Sequence, residues 1–231
     1  DEPMVGNPID PVTLYEDILT AKRSNDFVVV IVHAGNEFYD LPSPRTKKLY
    51  RHIVDLGADA VISHHTHAFS GYEIYRSKPI FYGLGNFIYD WPGRLHEGWN
   101  NGFVVRLLLS EKLEFEIIPI KQSGTEPGVF QLSSLENDLF LQNIDRLNHI
   151  IADDSLLENR FIEFCESVYP AYDAYIEPYL GRYVTALRKR GIFPHFMRHR
   201  KRLLLLNITR CESHRDVLVR MLDKHFISGS F

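Results

Sequence analysis

Three histidines fall within four positions, His64, His65 and His67, one residue after the apolar run Ala60–Ile62, in the stretch VISHHTHAFSGYEIY. Each imidazole offers a nitrogen lone pair to a metal ion, or a proton near neutral pH. In extended backbone side chains alternate with a period of two, so His65 and His67 are expected on one face and His64 on the other. A fourth histidine, His33, ends the run FVVVIV and would supply a third nitrogen to the pair. Imidazole suits zinc and iron, and manganese where carboxylates assist, so nitrogens alone do not select the ion. Glu37 in HAGNE and Glu73 in GYEIY are the local carboxylates, and either could bind the ion or orient a histidine. A lone histidine at a strand end more often makes ordinary hydrogen bonds; the His-x-His pair at the same sheet edge is what points to a metal.

Such residues need a scaffold that brings distant positions together. The spacing predicts a helix over 11–23, with Asp10 as N-cap, Pro11 at the first position and Tyr15, Ile18 and Leu19 on one face. Residues 27–32 are continuous and β-branched, as in a strand covered on both faces of a parallel sheet. Ser43 then caps a second helix, Pro44 starts it, Leu49, Ile53 and Leu56 recur at helical spacing, Gly57 stops it, and DAVI forms the next strand. A β-α-β unit makes its strands parallel and brings their C-terminal ends to the sheet edge where open α/β sheets bind ligands. His33 should therefore meet the cluster.

Residues 71–75 and 79–87, and later 101–109 and 111–120, read as short strands of a partly antiparallel continuation of the sheet. Gly and Pro in 121–132 mark a boundary, beyond which the periodicity is helical and is broken by Pro170, Pro178, Gly181, Gly191 and Pro194. The 231 residues, 45% of them hydrophobic, suffice for one sizeable core or a core with an appendage. A net charge of -4 gives no reason to expect nucleic acid, and no binding motif for it is present. Cys165 and Cys211 form neither a zinc motif nor a disulfide framework, which leaves the redox compartment open. No apolar run is long enough to cross a bilayer.

The stretches VIVHAGNEF and LGADAVISHHTHAFSGYEIYRSKPIFYGLGNFIYD resemble the CapA family, capsule and poly-γ-glutamate synthesis proteins with a calcineurin-like metallophosphoesterase fold. The resemblance covers roughly residues 25–120 and rests on three motifs in order: His33-x-Gly35-x-Glu37, the histidine cluster, and Gly83–Phe87. It implies an α/β, metallophosphoesterase-like sandwich, here its C-terminal portion over 1–125, followed by an α-helical extension over 132–231. It further implies that the family's late metal-binding histidines fall on His33, His65 and His67, and that Glu37 and Asn86 shape the site. His64 is then a candidate to protonate a leaving group. Ser63 stands where the family usually has glycine, Thr66 where it has proline and Gly83 where it has serine. The family's Gly-Asp and Asn-Asn-His motifs are absent, so the chain is expected to be the C-terminal part of a longer protein with half of a dinuclear site. The complete site would hold two divalent ions, manganese, iron or zinc, and this chain one or none.

Two functions follow from the resemblance: a metal-dependent hydrolase of phosphate-ester type in capsule or exopolymer biosynthesis, or a non-catalytic assembly component of a membrane polymer synthase with a vestigial site. Both imply the cell envelope or its extracellular face. The stretch 182–202 carries eight Lys and Arg and no acidic residue. It is a candidate contact for anionic lipid, an anionic polymer or membrane synthase subunits, against the plainer alternative of a solvated face paired with the acidic helices upstream. The tyrosine-rich run 169–183 reads equally as an interface and as the rim of a helical core.

Overall fold

In the computed structural model, which describes residues 11–89, 97–122, 127–176, 181–192 and 198–210, Pro11 opens helix α1 (Pro11–Ser24), which buries Ile18. Tyr15 stays exposed, and Asp10, the expected cap, lies outside the described residues. Strands β1 (Val29–His33) and β2 (Ala60–His64) flank helix α2 (Pro44–Asp55) and pair in parallel, from Val29 opposite Ala60 to His33 opposite His64. Ser43 caps α2 as its sequence predicts: its Oγ accepts the Thr46 N–H at 3.0 Å. Beyond β2 come β3 (Tyr72–Tyr75) and β4 (Lys78–Phe81), and the sheet order is β1-β2-β4-β3. The expectation that β1 is covered on both faces is corrected here. It is an edge strand, and Ile31 is 71% exposed, whereas β2, flanked by β1 and β4, is buried from Ala60 through Ser63.

A short helix α3 (Glu97–Asn100) leads into β5 (Asn101–Leu109), β6 (Leu113–Gln122) and β7 (Val129–Gln131), an antiparallel meander. It is a second sheet rather than the expected continuation of the first. The two touch through an isolated bridge between Gly85 and Gly102, where Gly85 has φ +78° and a Cβ would come within 2.8 Å of the Asn101 carbonyl oxygen. Aromatic rings fill the space between the sheets: Phe81 lies 5.1 Å from Phe115 and 6.2 Å from Phe103, and Tyr72 lies 5.5 Å from Phe115. The α/β sandwich class therefore stands.

Helix α4 (Ser134–Ala152) begins with a reciprocal Ser133–Glu136 capping box and buries Phe140, Ile144, Leu147, Ile150 and Ile151. Helix α5 (Asp154–Ile176) runs through Pro170 and adds Leu157 to the same core. Buried Lys47 ties α2 to this corner, donating to the Ile151 carbonyl and, at 2.7 Å, to the Asp154 carboxylate. The first compact unit consequently extends to Phe164, and the change of texture at 121–132 is a switch from strand to helix within one core. The second unit, from Cys165, holds the end of α5, helix α6 (Arg182–Lys189) and helix α7 (His199–Arg210).

At the start of β2, buried Asp59 clamps three elements. One carboxylate oxygen accepts from Lys22 at 2.6 Å and from the Val28 N–H at 2.9 Å, and the other accepts from Lys78 at 2.5 Å. Burial alone would raise its pKa, but Lys22, Lys78 and the Val28 N–H together hold it below the ordinary carboxylate value. A depressed folded-state pKa stabilises the fold above the unfolded value and ceases to do so as pH falls through the folded one. Asp59→Asn should lower unfolding free energy at neutral pH by about 1–3 kcal/mol. Denaturation followed from about pH 5 to pH 2 should show the gap between wild type and variant closing with acid; a constant gap would exclude the carboxylate as its source.

Candidate functional site

Because β1 and β2 are parallel and in register, His33 and His64 stand side by side at the C-terminal edge of the sheet. With His65, His67 and Asn86 they line a cleft of about 600 Å³, whose remaining wall is apolar and includes Ile31, Ile62, Phe87 and Phe103. All four histidines thus converge on one space, His64 included, although the period-two rule assigns His64 to the opposite face.

That rule fails because the chain leaves the extended conformation. His65 has φ +102° and His67 φ +57°, left-handed values that turn the two rings in different directions. His65 Nδ1 faces His33 Nε2 at 3.2 Å, and His67 Nδ1 faces Asn86 Oδ1 at 2.8 Å. In this structure the rings form two separate pairs, His33 with His65 and His67 with Asn86.

The Asn86 amide determines which nitrogen of His67 is available. Its Nδ2 donates to the His67 carbonyl at 3.3 Å and to the Trp99 carbonyl at 3.1 Å, so Oδ1 is the atom turned to the ring. An amide oxygen can only accept, so Nδ1 of His67 carries the proton and Nε2 keeps its lone pair. Phe38, Tyr89 and Trp99 surround this ring with centroids 6.1, 5.1 and 5.1 Å away. These aromatic neighbours, Phe38 and Tyr89 from loops and Trp99 from α3, carry no motif that sequence reading could have used.

Burial, and then the neighbouring His33, push the His64 imidazole below its ordinary pKa, which disfavours the imidazolium that a proton donor requires. Glu37 is exposed and does not line the cleft. Glu73 is engaged elsewhere: Arg51 grips it through two nitrogens at 3.0 and 2.6 Å, and Tyr82 donates to it at 2.5 Å. The role of Gly35 is explicit, since it has φ +132° and a Cβ there would approach Thr66 Cγ2 to 2.7 Å. Ser63 and Thr66, two of the three departures from the resembled pattern, both have partners. Ser63 Oγ is bonded to Tyr50 OH at 2.8 Å and donates to the Ala34 carbonyl at 3.2 Å, and Thr66 Oγ1 donates to the Ala68 carbonyl at 2.8 Å.

The donor set fits part of a metal site. Two imidazole nitrogens bound to one tetrahedral zinc ion stand about 3.3 Å apart, close to the observed 3.2 Å between His33 and His65. Among the described residues no three His, Cys, Asp or Glu side chains group closely enough to hold an ion by themselves.

Residues 2–91 match the model of a family described as bacterial capsule synthesis protein PGA_cap. The chain is 31% identical over 144 residues to the PGA biosynthesis protein CapA of Bacillus subtilis, a stretch covering 60% of this chain and 36% of that relative. It is 41% identical over 78 residues to the capsule biosynthesis protein CapA of Bacillus anthracis, covering 34% of this chain and 18% of the relative. A probable polyglutamine synthesis accessory protein of Mycobacterium tuberculosis is 34% identical over 76 residues, covering 33% and 20%. The matched stretches thus span well under half the length of these relatives.

Asn86→Ala removes an acceptor and two donated hydrogen bonds from a buried position and should lower unfolding free energy by about 1–3 kcal/mol. Nitrogen-detected NMR at neutral pH should find His67 protonated on Nδ1 in the wild type and a mixture of tautomers in the variant. The Nε2–H tautomer in the wild type would overturn the assignment.

Proposed function

We propose, on the premise that residues 2–91 carry the sequence of the bacterial capsule-synthesis (CapA) family, that this chain bears the histidine side of a metal-dependent hydrolytic site. The protein would act in capsule or poly-γ-glutamate biosynthesis at the cell envelope, on a phosphate-type ester. The observation that carries this reading is the pair of nitrogens from His33 and His65, 3.2 Å apart at the C-terminal edge of two parallel strands. His33 and His65 would hold one divalent ion, manganese, iron or zinc, while His67 offers Nε2 to the same cleft. Such ions, when bound, lower the pKa of a water and neutralise charge on an anionic ester.

The chain's own residues contribute orientation and a proton. Asn86 holds His67 in the tautomer that can bind a cation. Phe38 and Trp99 pack against that ring and restrict its rotation. His64, neutral while the cleft is empty of charge, becomes easier to protonate when an anion enters beside it, and it can then supply the leaving group with a proton. Glu37 would act through the shape of the His33–Glu37 loop rather than as a ligand, given its exposed position. The second reading, a non-catalytic assembly component, draws support from Glu73, whose carboxylate serves Arg51 and Tyr82 rather than the histidines.

Elemental analysis after equilibration with manganese, iron or zinc and exhaustive dialysis distinguishes the two. The hydrolase reading expects metal retained by the wild type, lost in His65→Ala, and held about 10–100-fold more weakly in Asn86→Ala. It also expects turnover of an aryl phosphate that His65→Ala abolishes. A wild-type chain that retains no metal and turns over no ester would favour the assembly component.

A further inference from the structure

The basic stretch lies in the second compact unit, and none of its residues is among those that line the histidine cleft. Its eight cations are not equivalent. Arg188 is buried and Arg202 half-buried, whereas Arg182, Lys189, Arg190, Arg198, Arg200 and Lys201 are exposed. Among the described residues, Lys189, Arg190, Arg198, Arg200 and Lys201 enter none of the ion pairs, which are confined to the first unit.

Apolar side chains accompany the cations at the surface. Leu203 is 50% and Leu204 56% exposed on α7, and Ile192, just beyond α6, is 66% exposed. On a helix, residues three and four apart are neighbours, so Arg200 shares a face with Leu203 and Leu204, and Lys201 lies beside Leu204. A dissolved polyanion would satisfy the cations and leave the leucines in water. An anionic bilayer satisfies both: lysine and arginine meet the headgroups while leucine enters the acyl boundary. No helix among the described residues is long and apolar enough to cross a membrane, so the contact would be interfacial.

We propose that α7, with the cations that follow α6, binds the surface of an anionic lipid bilayer through Arg200, Lys201, Leu203 and Leu204. The attraction is local, since the chain as a whole carries a net charge of -4. It is independent of the histidine cleft and of any metal there.

Sedimentation of the 231-residue chain with vesicles tests this, using phosphatidylcholine alone and phosphatidylcholine mixed with phosphatidylglycerol. Two double variants, Arg200→Glu with Lys201→Glu and Leu203→Gln with Leu204→Gln, change exposed side chains, and circular dichroism checks that both remain folded. The chain should sediment with the anionic vesicles and not the neutral ones, less so as salt rises. Reversing both charges should weaken binding at least about tenfold, since each basic residue near such a surface contributes several-fold to affinity, and the leucine variant should weaken it comparably. A wild type that ignores anionic vesicles would overturn the proposal. So would a leucine variant that binds like the wild type while soluble polyglutamate strips the chain from vesicles, because that result assigns the surface to a polyanion.

Discussion

The parallel pairing of β1 with β2 is the constraint on which the site depends. A register that sets Val29 against Ala60 also sets His33 against His64, and a slip of one residue would send His33 to the other face of the sheet. Two features oppose such a slip. Val61 and Phe81 are fully buried on the inner strands, so shifting β2 would expose apolar surface. At the other end of the strands, Asp59 takes the Val28 N–H and two lysines, which pins the start of β1 to the start of β2. The clamp and the histidines occupy opposite ends of the same ladder, so the charge that stabilises the fold is kept apart from the groups available for chemistry.

Strain gathers at the histidine end. Phe38, His65 and His67 all have positive φ, a conformation that costs a residue other than glycine about 1–3 kcal/mol when neighbours impose it. The surroundings do impose it. The Phe38 N–H donates to the Thr66 carbonyl, Thr66 Oγ1 donates to Ala68, and Asn86 holds the carbonyl of His67. Ser63 and Tyr50 brace the strand just before the loop, and the absence of a side chain on Gly35 leaves the two loops room to touch. At two of the sites where this chain departs from the resembled pattern, Ser63 and Thr66, the side chains make hydrogen bonds of their own, and the loop is held without glycine or proline there.

The two compact units divide the properties of the chain. The first buries an aromatic core between two sheets and presents histidines in a cleft, while the second presents exposed cations beside exposed leucines. The two units thus offer chemically different surfaces.

Much of the scaffold was legible from short-range patterns. The Ser43 cap, Pro44 and the stop at Gly57 delimited α2, and β-α-β chirality and parallelism brought His33 to the histidine cluster, because these rules act over a few residues or a single crossover. What failed involved contacts between elements distant in sequence. Whether β1 is covered on both faces depends on what lies beside it in the sheet, and the described residues bury Val32 but leave Ile31 exposed. The second sheet was misread as a continuation because strand periodicity is the same in either arrangement. The pairing of His33 with His65 and of His67 with Asn86 followed from left-handed backbone that no alternation rule contains. By itself the sequence determined which residue types could do chemistry and which strands would carry them; tertiary structure alone decided their partners and directions, because lone pairs are aimed by loop torsions and buried amides that only the assembled sandwich can hold.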